Sequence, residues 1–432
     1  MRSAGRLAAA IEILDDILNR HRPAPMALAD WARGHRFAGS GDRSAIGTLV
    51  YDALRKRASL AWRMGEETPR ALAIAAMHHV WGLPVAEIEV LCDGAQHAPE
   101  QITEAERAGL ARSLDGAPGW AAADIPEWIF PSFEASFGGD AIAQGQGLAE
   151  RAPIDMRVNL LKADRPRVLA ALAAYAPEPT PLSPWGVRIA PPKSLQKNPN
   201  VEAEAAHGKG WFEVQDEASQ LAVLLAGIGP RQQVIDLCAG SGGKALAIAA
   251  LMHNTGQIYA YDSDKARLRP IFERLKRAGA RNVQVMTAGV DAALTPLAGR
   301  MDVVFVDAPC SGSGVWRRRP DAKWRLTLEA LQTRIAEQRG VLTLAAPLVK
   351  PGGTLIYATC SVLAAENREQ TAWFLSTEPA FAERDYRAGW PRADQPPPAS
   401  SQEGMAEGMS LQLTPHSHGT DGFYISILHR AA

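Results

Sequence analysis

"VIDLCAGSGGKALAIAALM" runs from Val234 to Met252. An apolar run ends at Leu237, a turn holding Gly240, Gly242 and Gly243 follows, and a helical pattern opens near Lys244. Doubly wound α/β sheets present their ligands at such places, outside the carboxyl end of a strand. Glycine lets the backbone approach a ligand closely and take positive φ. The turn is neither G-x-G-x-x-G nor a Walker loop, so it fits NAD weakly and a nucleoside triphosphate poorly. The next apolar run closes on Tyr261-Asp262. An acid about twenty residues past the turn can accept hydrogen bonds from both ribose hydroxyls of a nucleoside cofactor. Turn and acid fit S-adenosylmethionine as well as NAD. The plain alternative is a tight strand–helix turn and a surface acid.

The pattern repeats outward from this turn. Apolar strands are predicted at 233–237, 257–261, 283–287, 302–306 and 354–358, with helical patterns between them. Strands alternating with helices predict a parallel sheet covered on both faces. Pro351-Gly352-Gly353 reads as the turn before the fifth strand, and "PRADQPPPASSQEG" (391–404) as a mobile loop. "DGFYISILHR" (421–430) reads as a last, antiparallel edge strand. Upstream, "MRVNLL" predicts a strand, "RPRVLAALAAY" a helix, and "PEPTPLSPWGVRIAPP" a loop into a short strand. The first third is helical, with Leu7, Ile11, Leu14 and Leu18, then Ile46, Leu49, Val50, Leu54 and Leu60, at helical spacing. Three regions result: an all-helical domain (1–140), a small α+β segment (150–210) and the α/β domain (211–432).

Composition narrows the class. The 432 residues are 47% hydrophobic and 22% charged, as in a globular protein with ample core. No apolar run approaches the ~20 residues of a membrane helix. Glu12, Asp15 and Asp16 break the first apolar stretch, so the N-terminus reads as an amphipathic helix and the cytoplasm as the compartment. Net charge is −1, so no global field attracts nucleic acid. The charge is uneven, with ten Lys/Arg against six Asp/Glu in residues 1–60. "WRRRPDAKWR" (316–325) mixes cations with tryptophans, which suits single-stranded nucleic acid or, more plainly, a solvated surface run. The four cysteines, Cys92, Cys238, Cys310 and Cys360, form no C-x-x-C, so neither zinc nor any other metal is expected. Cys92 reads as a small buried hydrophobe.

Cys310 and Cys360 each stand before a serine at the end of an apolar run. Asp236-Leu-Cys-Ala-Gly-Ser-Gly-Gly-Lys244, Asp307-Ala-Pro-Cys-Ser311 and Thr359-Cys-Ser361 resemble the RNA cytosine-5 methyltransferases of the Sun (RsmB-like) family. Residues 157–162, 210–221 and 420–428 look like further signatures of that family, and the helical first third is similar to its NusB-like RNA-binding domain. The resemblance implies a class I, Rossmann-like, seven-stranded methyltransferase domain. It also implies S-adenosylmethionine as cofactor and a cytosine in small-subunit (16S) ribosomal RNA as substrate. Carbon 5 of cytosine is a poor nucleophile, and a thiolate added at carbon 6 activates it. The resemblance makes Cys360 that nucleophile and Cys310 the thiol that assists release. Asp307 is placed between cofactor and base, and the cofactor is placed on Cys238, Ala239, Gly240, Ser241, Gly242, Gly243, Lys244, Asp262 and Asp307. Free cysteine (pKa ~8.5) is only slightly ionised at neutral pH, so a cation is needed near Cys360, with 317–325 and the bound sulfonium as candidates. Gly240-Ser241 stands where the family has Ala-Pro, and Ala364-Ala365 where it has Pro-Glu, with Glu366 and Asn367 retained. The third-strand acid is displaced, leaving Asp291 as the adenine-side contact. Competing readings are a transfer-RNA or a DNA cytosine-5 methyltransferase and a non-catalytic ribosome assembly factor. A monomer is expected.

Overall fold

The computed structural model describes residues 1–192, 199–287, 289–402 and 408–432. The chain divides into two compact units. One holds Met1–Arg151, a short piece beginning at Pro191, and Trp316–Leu326; the rest of the chain forms the other.

The helical unit follows from its apolar spacing. The helix Ser3–Asn19 buries Leu7, Ala10, Ile13 and Leu14, while Ser40–Arg55 buries Ile46, Leu49, Val50 and Leu54. Both pack on Pro69–His79, whose run Ala71–Ala76 is buried all round. Thr68 starts that helix by accepting from the Ala71 amide, with Pro69 in its first turn. Each Leu or Ile fully removed from water here contributes about 1.5–3 kcal/mol.

The segment 316–325 corrects the expectation of a basic surface. Trp316, Arg317 and Lys323 are buried within the helical unit. Trp316 stacks with Phe133, Trp324 donates to the Leu54 carbonyl, and Asp321 accepts from the Ala24 amide. Lys323 donates to the carbonyls of Arg55 and Asp124. These carbonyls replace the water that a charged side chain otherwise keeps, so a run that reads as solvated becomes an anchor.

In the second unit a small antiparallel sheet is built from β1 (Ile154–Val158), β2 (Glu178–Pro179), β3 (Gly186–Ile189) and β4 (Phe212–Val214), in the order β2-β3-β1-β4. The large sheet holds β5 (Gln233–Asp236), β6 (Gln257–Ala260), β7 (Val283–Val285), β8 (Met301–Asp307), β9 (Val349–Thr359), β10 (Phe381–Arg384), β11 (Leu411–Leu413) and β12 (Phe423–Arg430). Its path is β10-β12-β9-β8-β5-β6-β7, with β11 beside β12. Strands β5 to β9 are parallel, and β12 runs antiparallel to β9. This is the expected Rossmann-like class. Alternation along the strands sends Val234, Phe305 and Ile356 to one face and Ile235, Val304 and Leu355 to the other. The order reverses between β5 and β8, which places the crevice at their carboxyl ends.

Three local expectations change. β12 is not the edge, because β10 pairs outside it. Pro351-Gly352-Gly353 is a bulge within β9 and not a turn before it, since Met301 pairs with Val349 and Val303 already with Thr354. The described part of the 391–404 loop is pinned: Ser400 and Gln402 are buried, and the Ser401 amide donates to the Gln412 carbonyl. Residues 403–404 lie outside the described residues. Among the described residues no helix is long and apolar enough to cross a membrane.

Candidate active site

The turn after β5 needs its glycines. Gly240 and Gly242 have φ of +50° and +87°. A Cβ on Gly242 would lie 2.5 Å from Ile271 Cγ1. Ser241, the departure from the family pattern, is held in another way. Arg274 donates to its carbonyl (3.0 Å) and hydroxyl (2.6 Å) and is itself paired with Glu213 (2.8 Å). The buried guanidinium of Arg157 donates to the Gly243 carbonyl and to Gln215. The Ala239 amide donates to the Tyr261 carbonyl, tying the turn to the end of β6.

Asp262 is buried at that end, where its carboxylate accepts from the Gly240 amide (2.8 Å) and the Asp264 amide (2.9 Å). Tyr261 donates to Asp291. Burial, with that bond behind it, raises the tyrosine pKa. A cavity of about 800 Å³ opens here, lined by Cys238, Asp262, Asp264, Asp291, Arg267 and Glu337 among others. Burial, reinforced by neighbouring carboxylates, pushes the Cys238 thiol well above its ordinary pKa, so it is an inert wall.

A second group gathers at the ends of β8 and β9. Lys244 Nζ lies 2.6 Å from Asp307 Oδ2. Burial works against the ammonium, yet the Asp307 charge, with Cys360 and Asp236 adding, holds its pKa above the ordinary value. Among the described residues Lys244 is a cation within electrostatic reach of Cys360. Phe423 on β12 lies against the same ammonium. Cys310 Sγ lies 3.4 Å from Cys360 Sγ. The contact with Cys360, then burial, drives the Cys310 thiol well above its ordinary pKa.

The structure thus brings Cys238, Asp262 and Asp291 to one cavity, and Lys244, Asp307, Cys310 and Cys360 to one cluster. Asp236, at the end of β5, was not singled out by the sequence reading. Neither of its carboxylate oxygens has a hydrogen-bond partner at good geometry among the described residues. Burial, with the Asp307 charge adding, raises its pKa to about 7. Its place just before the glycine turn was the available signal. Glu366 was noted only as a retained family residue. It proves to be a buried carboxylate bonded to the serines that follow both cysteines.

These residues fit a cationic nucleoside. The cavity carries Asp262, Asp264, Asp291 and Glu337 against Arg267 and Arg334, and the buried Asp236 carboxyl stands at the same sheet end. An acidic lining suits a sulfonium better than the pyrophosphate of NAD. Asp262 and Asp291 would hold the nucleoside, and Asp236 with residues 238–244 the amino-acid end.

Residues 223–429 match the family model described as 16S rRNA methyltransferase RsmB/F. Ribosomal RNA small subunit methyltransferase B of Shewanella oneidensis is 31% identical over 311 residues, covering 71% of this chain and 67% of that protein. Its namesake in Sodalis glossinidius is 32% identical over 342 residues, covering 78% and 70%. The crystal structure of PH0851 shares the fold, with a TM-score of 0.73 at 24% identity, covering 100% of this chain and 99% of that one. With sequence likeness of this extent, the chain belongs to the RsmB/F family of RNA methyltransferases that use S-adenosylmethionine.

Proposed function

We propose that the protein methylates carbon 5 of a cytosine in small-subunit ribosomal RNA through a covalent bond from Cys360. The observation that carries this reading is the thiol pair, 3.4 Å apart at the ends of adjacent parallel strands beside the Lys244–Asp307 ion pair. S-adenosylmethionine supplies the methyl group as an electrophile. The sulfur of Cys360, with the Lys244 ammonium in electrostatic reach, adds as a thiolate to carbon 6 and makes carbon 5 electron-rich. Asp307 accepts a hydrogen bond from, or shares a proton with, the edge of the ring, and so orients it. After transfer, the proton on carbon 5 must leave and the bond from Cys360 to carbon 6 must break. Cys310, kept as a thiol, hands its proton to the departing Cys360 sulfur and takes the carbon 5 proton in exchange.

The helical unit supplies RNA affinity in this reading, supported by the basic excess of residues 1–60 and the likeness to NusB-like domains. The working form is a monomer in the cytoplasm. The test is incubation of unmodified 16S RNA, transfer RNA and duplex DNA with the protein and labelled S-adenosylmethionine. Label in 16S RNA that maps to a single 5-methylcytosine is expected. Label only in transfer RNA or DNA, or none at all, would overturn the proposal.

A further inference from the structure

β8 and β9 remain in register up to Asp307 and Ala358, and the Ala308 amide makes one more bond to the Ala358 carbonyl. Beyond it, no backbone hydrogen bond joins the two segments among the described residues until the Gly314 amide donates to the Cys360 carbonyl. Cys310 and Cys360 both lie in this unladdered stretch. Strand pairing therefore does not fix the distance between their sulfurs.

One buried side chain ties together the residues that directly follow the two cysteines. Glu366 Oε1 accepts from the Ser311 amide (2.7 Å) and from Gln338 Nε2 (3.1 Å). Glu366 Oε2 accepts from the hydroxyls of Ser311 and Ser361, each at 2.5 Å. Ser311 follows Cys310, and Ser361 follows Cys360. Gln338 donates also to the Pro309 carbonyl (2.9 Å), on the other side of Cys310. Glu366 is itself anchored, because Tyr357 on β9 donates to its backbone carbonyl. An ionised carboxylate has about four acceptor sites, and four donors fill them here. Burial raises the Glu366 pKa, and the serine and glutamine donors oppose that rise.

We propose that Glu366 is a positioning residue that clamps the Cys310 and Cys360 segments together and so sets the distance between the two thiols. The proposal rests on the reading of these cysteines as the reacting pair. Its geometry stands on Ser311, Ser361, Gln338 and Glu366 alone. Ser313 joins the segments as well: its hydroxyl bonds that of Ser361 and accepts from the Val362 amide, while its own amide donates to the Ser311 hydroxyl (3.2 Å).

The thiol spacing can be read without RNA. Phenylarsine oxide bridges two neighbouring thiols, and its second sulfur bond forms only when both sulfurs are held close. With Glu366→Ala the arsenical should bind at least about tenfold more weakly than to wild type, because the second bond loses its effective concentration. Cys310→Ala identifies the signal by abolishing it. With Glu366→Gln the arsenical should bind within about threefold of wild type. The amide keeps one acceptor, and each serine hydroxyl, which accepts one amide already, has a second lone pair with which to accept from its NH₂. In methyl transfer to RNA, Glu366→Ala should lower kcat about a hundredfold, the usual cost of misplacing a reacting group by about 1 Å. KM for S-adenosylmethionine should change less than about twofold, since no uniform binding is lost.

If Glu366→Ala does not fold, Ser311→Ala and Ser361→Ala each remove one tether and should each weaken the bridge. Unchanged arsenical affinity in Glu366→Ala, or in both serine variants, would overturn the clamp. So would a loss confined to KM. A wild-type protein that bridges the arsenical but methylates no RNA would remove the proposed function and leave the clamp to be decided by the arsenical alone.

Discussion

The sulfur of Cys310 lies 3.4 Å from the sulfur of Cys360, across fifty residues of sequence. Contact with Cys360, then burial, keeps Cys310 protonated, and Lys244 is within electrostatic reach of Cys360. In the proposed reaction Cys360 is the nucleophile and Cys310 the sulfur that gives and takes a proton.

The two thiols should therefore fail differently. Cys360→Ala should lower methyl transfer by at least about three orders of magnitude, as loss of a nucleophile does, and form no adduct. Cys310→Ala should still add Cys360 to the base but not complete elimination. A covalent protein–RNA species should accumulate and survive denaturing electrophoresis. An adduct trapped by Cys360→Ala and absent from Cys310→Ala would reverse the roles.

Lys244 should matter through its charge. Lys244→Met keeps the bulk of the side chain and removes the cation beside Asp307. A fixed charge at a reacting centre is commonly worth about 10²–10³ in kcat, so a loss of this order is expected. Methyl-transfer assays check it, and a kcat within about threefold of wild type would remove the Lys244 charge from the reacting centre.

The cofactor site should depend on Asp262. Its carboxylate holds the Gly240 amide and lines the cavity. Asp262→Ala removes both functions, and affinity for S-adenosylmethionine should fall at least about tenfold, or 1.4 kcal/mol. Calorimetry without RNA measures this directly. Equal affinities would place the nucleoside elsewhere.

Much of this site is legible in the sequence, because local pattern carries it. Apolar runs mark β5, β6, β8 and β9, and a glycine turn needs three glycines in a row of six residues, whatever the rest of the fold does. β10 is not legible: Phe-Ala-Glu-Arg is four residues with two charges, and it becomes a strand only because β12 offers an open edge. Lys323 misleads for a different reason. A lysine reads as exposed, and only the fold shows that the Arg55 and Asp124 carbonyls converge on its ammonium. The link from Glu366 to Ser311 spans 55 residues, and no local pattern announces a closure of that length.

Lys323 also makes the helical unit sensitive to pH. Burial lowers its pKa to about 7, with the cations of Lys56, Arg55 and Arg57 adding and Asp124 opposing. In the unfolded chain the value is about 10.4. Below pH 7 both states carry the proton, and the folded state bears the full cost of a buried ammonium. Between pH 7 and about 10.4 the unfolded chain binds the proton and the folded unit does not. Stability should therefore rise with pH across that window, by at most about 1.4 kcal/mol per pH unit, and level off above it. Asp124 shifts in the opposite direction: burial raises its pKa, and its carboxylate accepts from the Ser59 amide and hydroxyl. Lys323→Met removes the lysine titration and leaves that of Asp124. It also leaves two carbonyls without their donor, a cost that does not vary with pH. Calorimetric melting of the full chain at pH 7, 8 and 9 separates the two contributions. The wild-type Tm should climb relative to the Lys323→Met Tm by several degrees over that range. Parallel curves for the two proteins would show that Lys323 stays charged when buried, held by the Arg55 and Asp124 carbonyls.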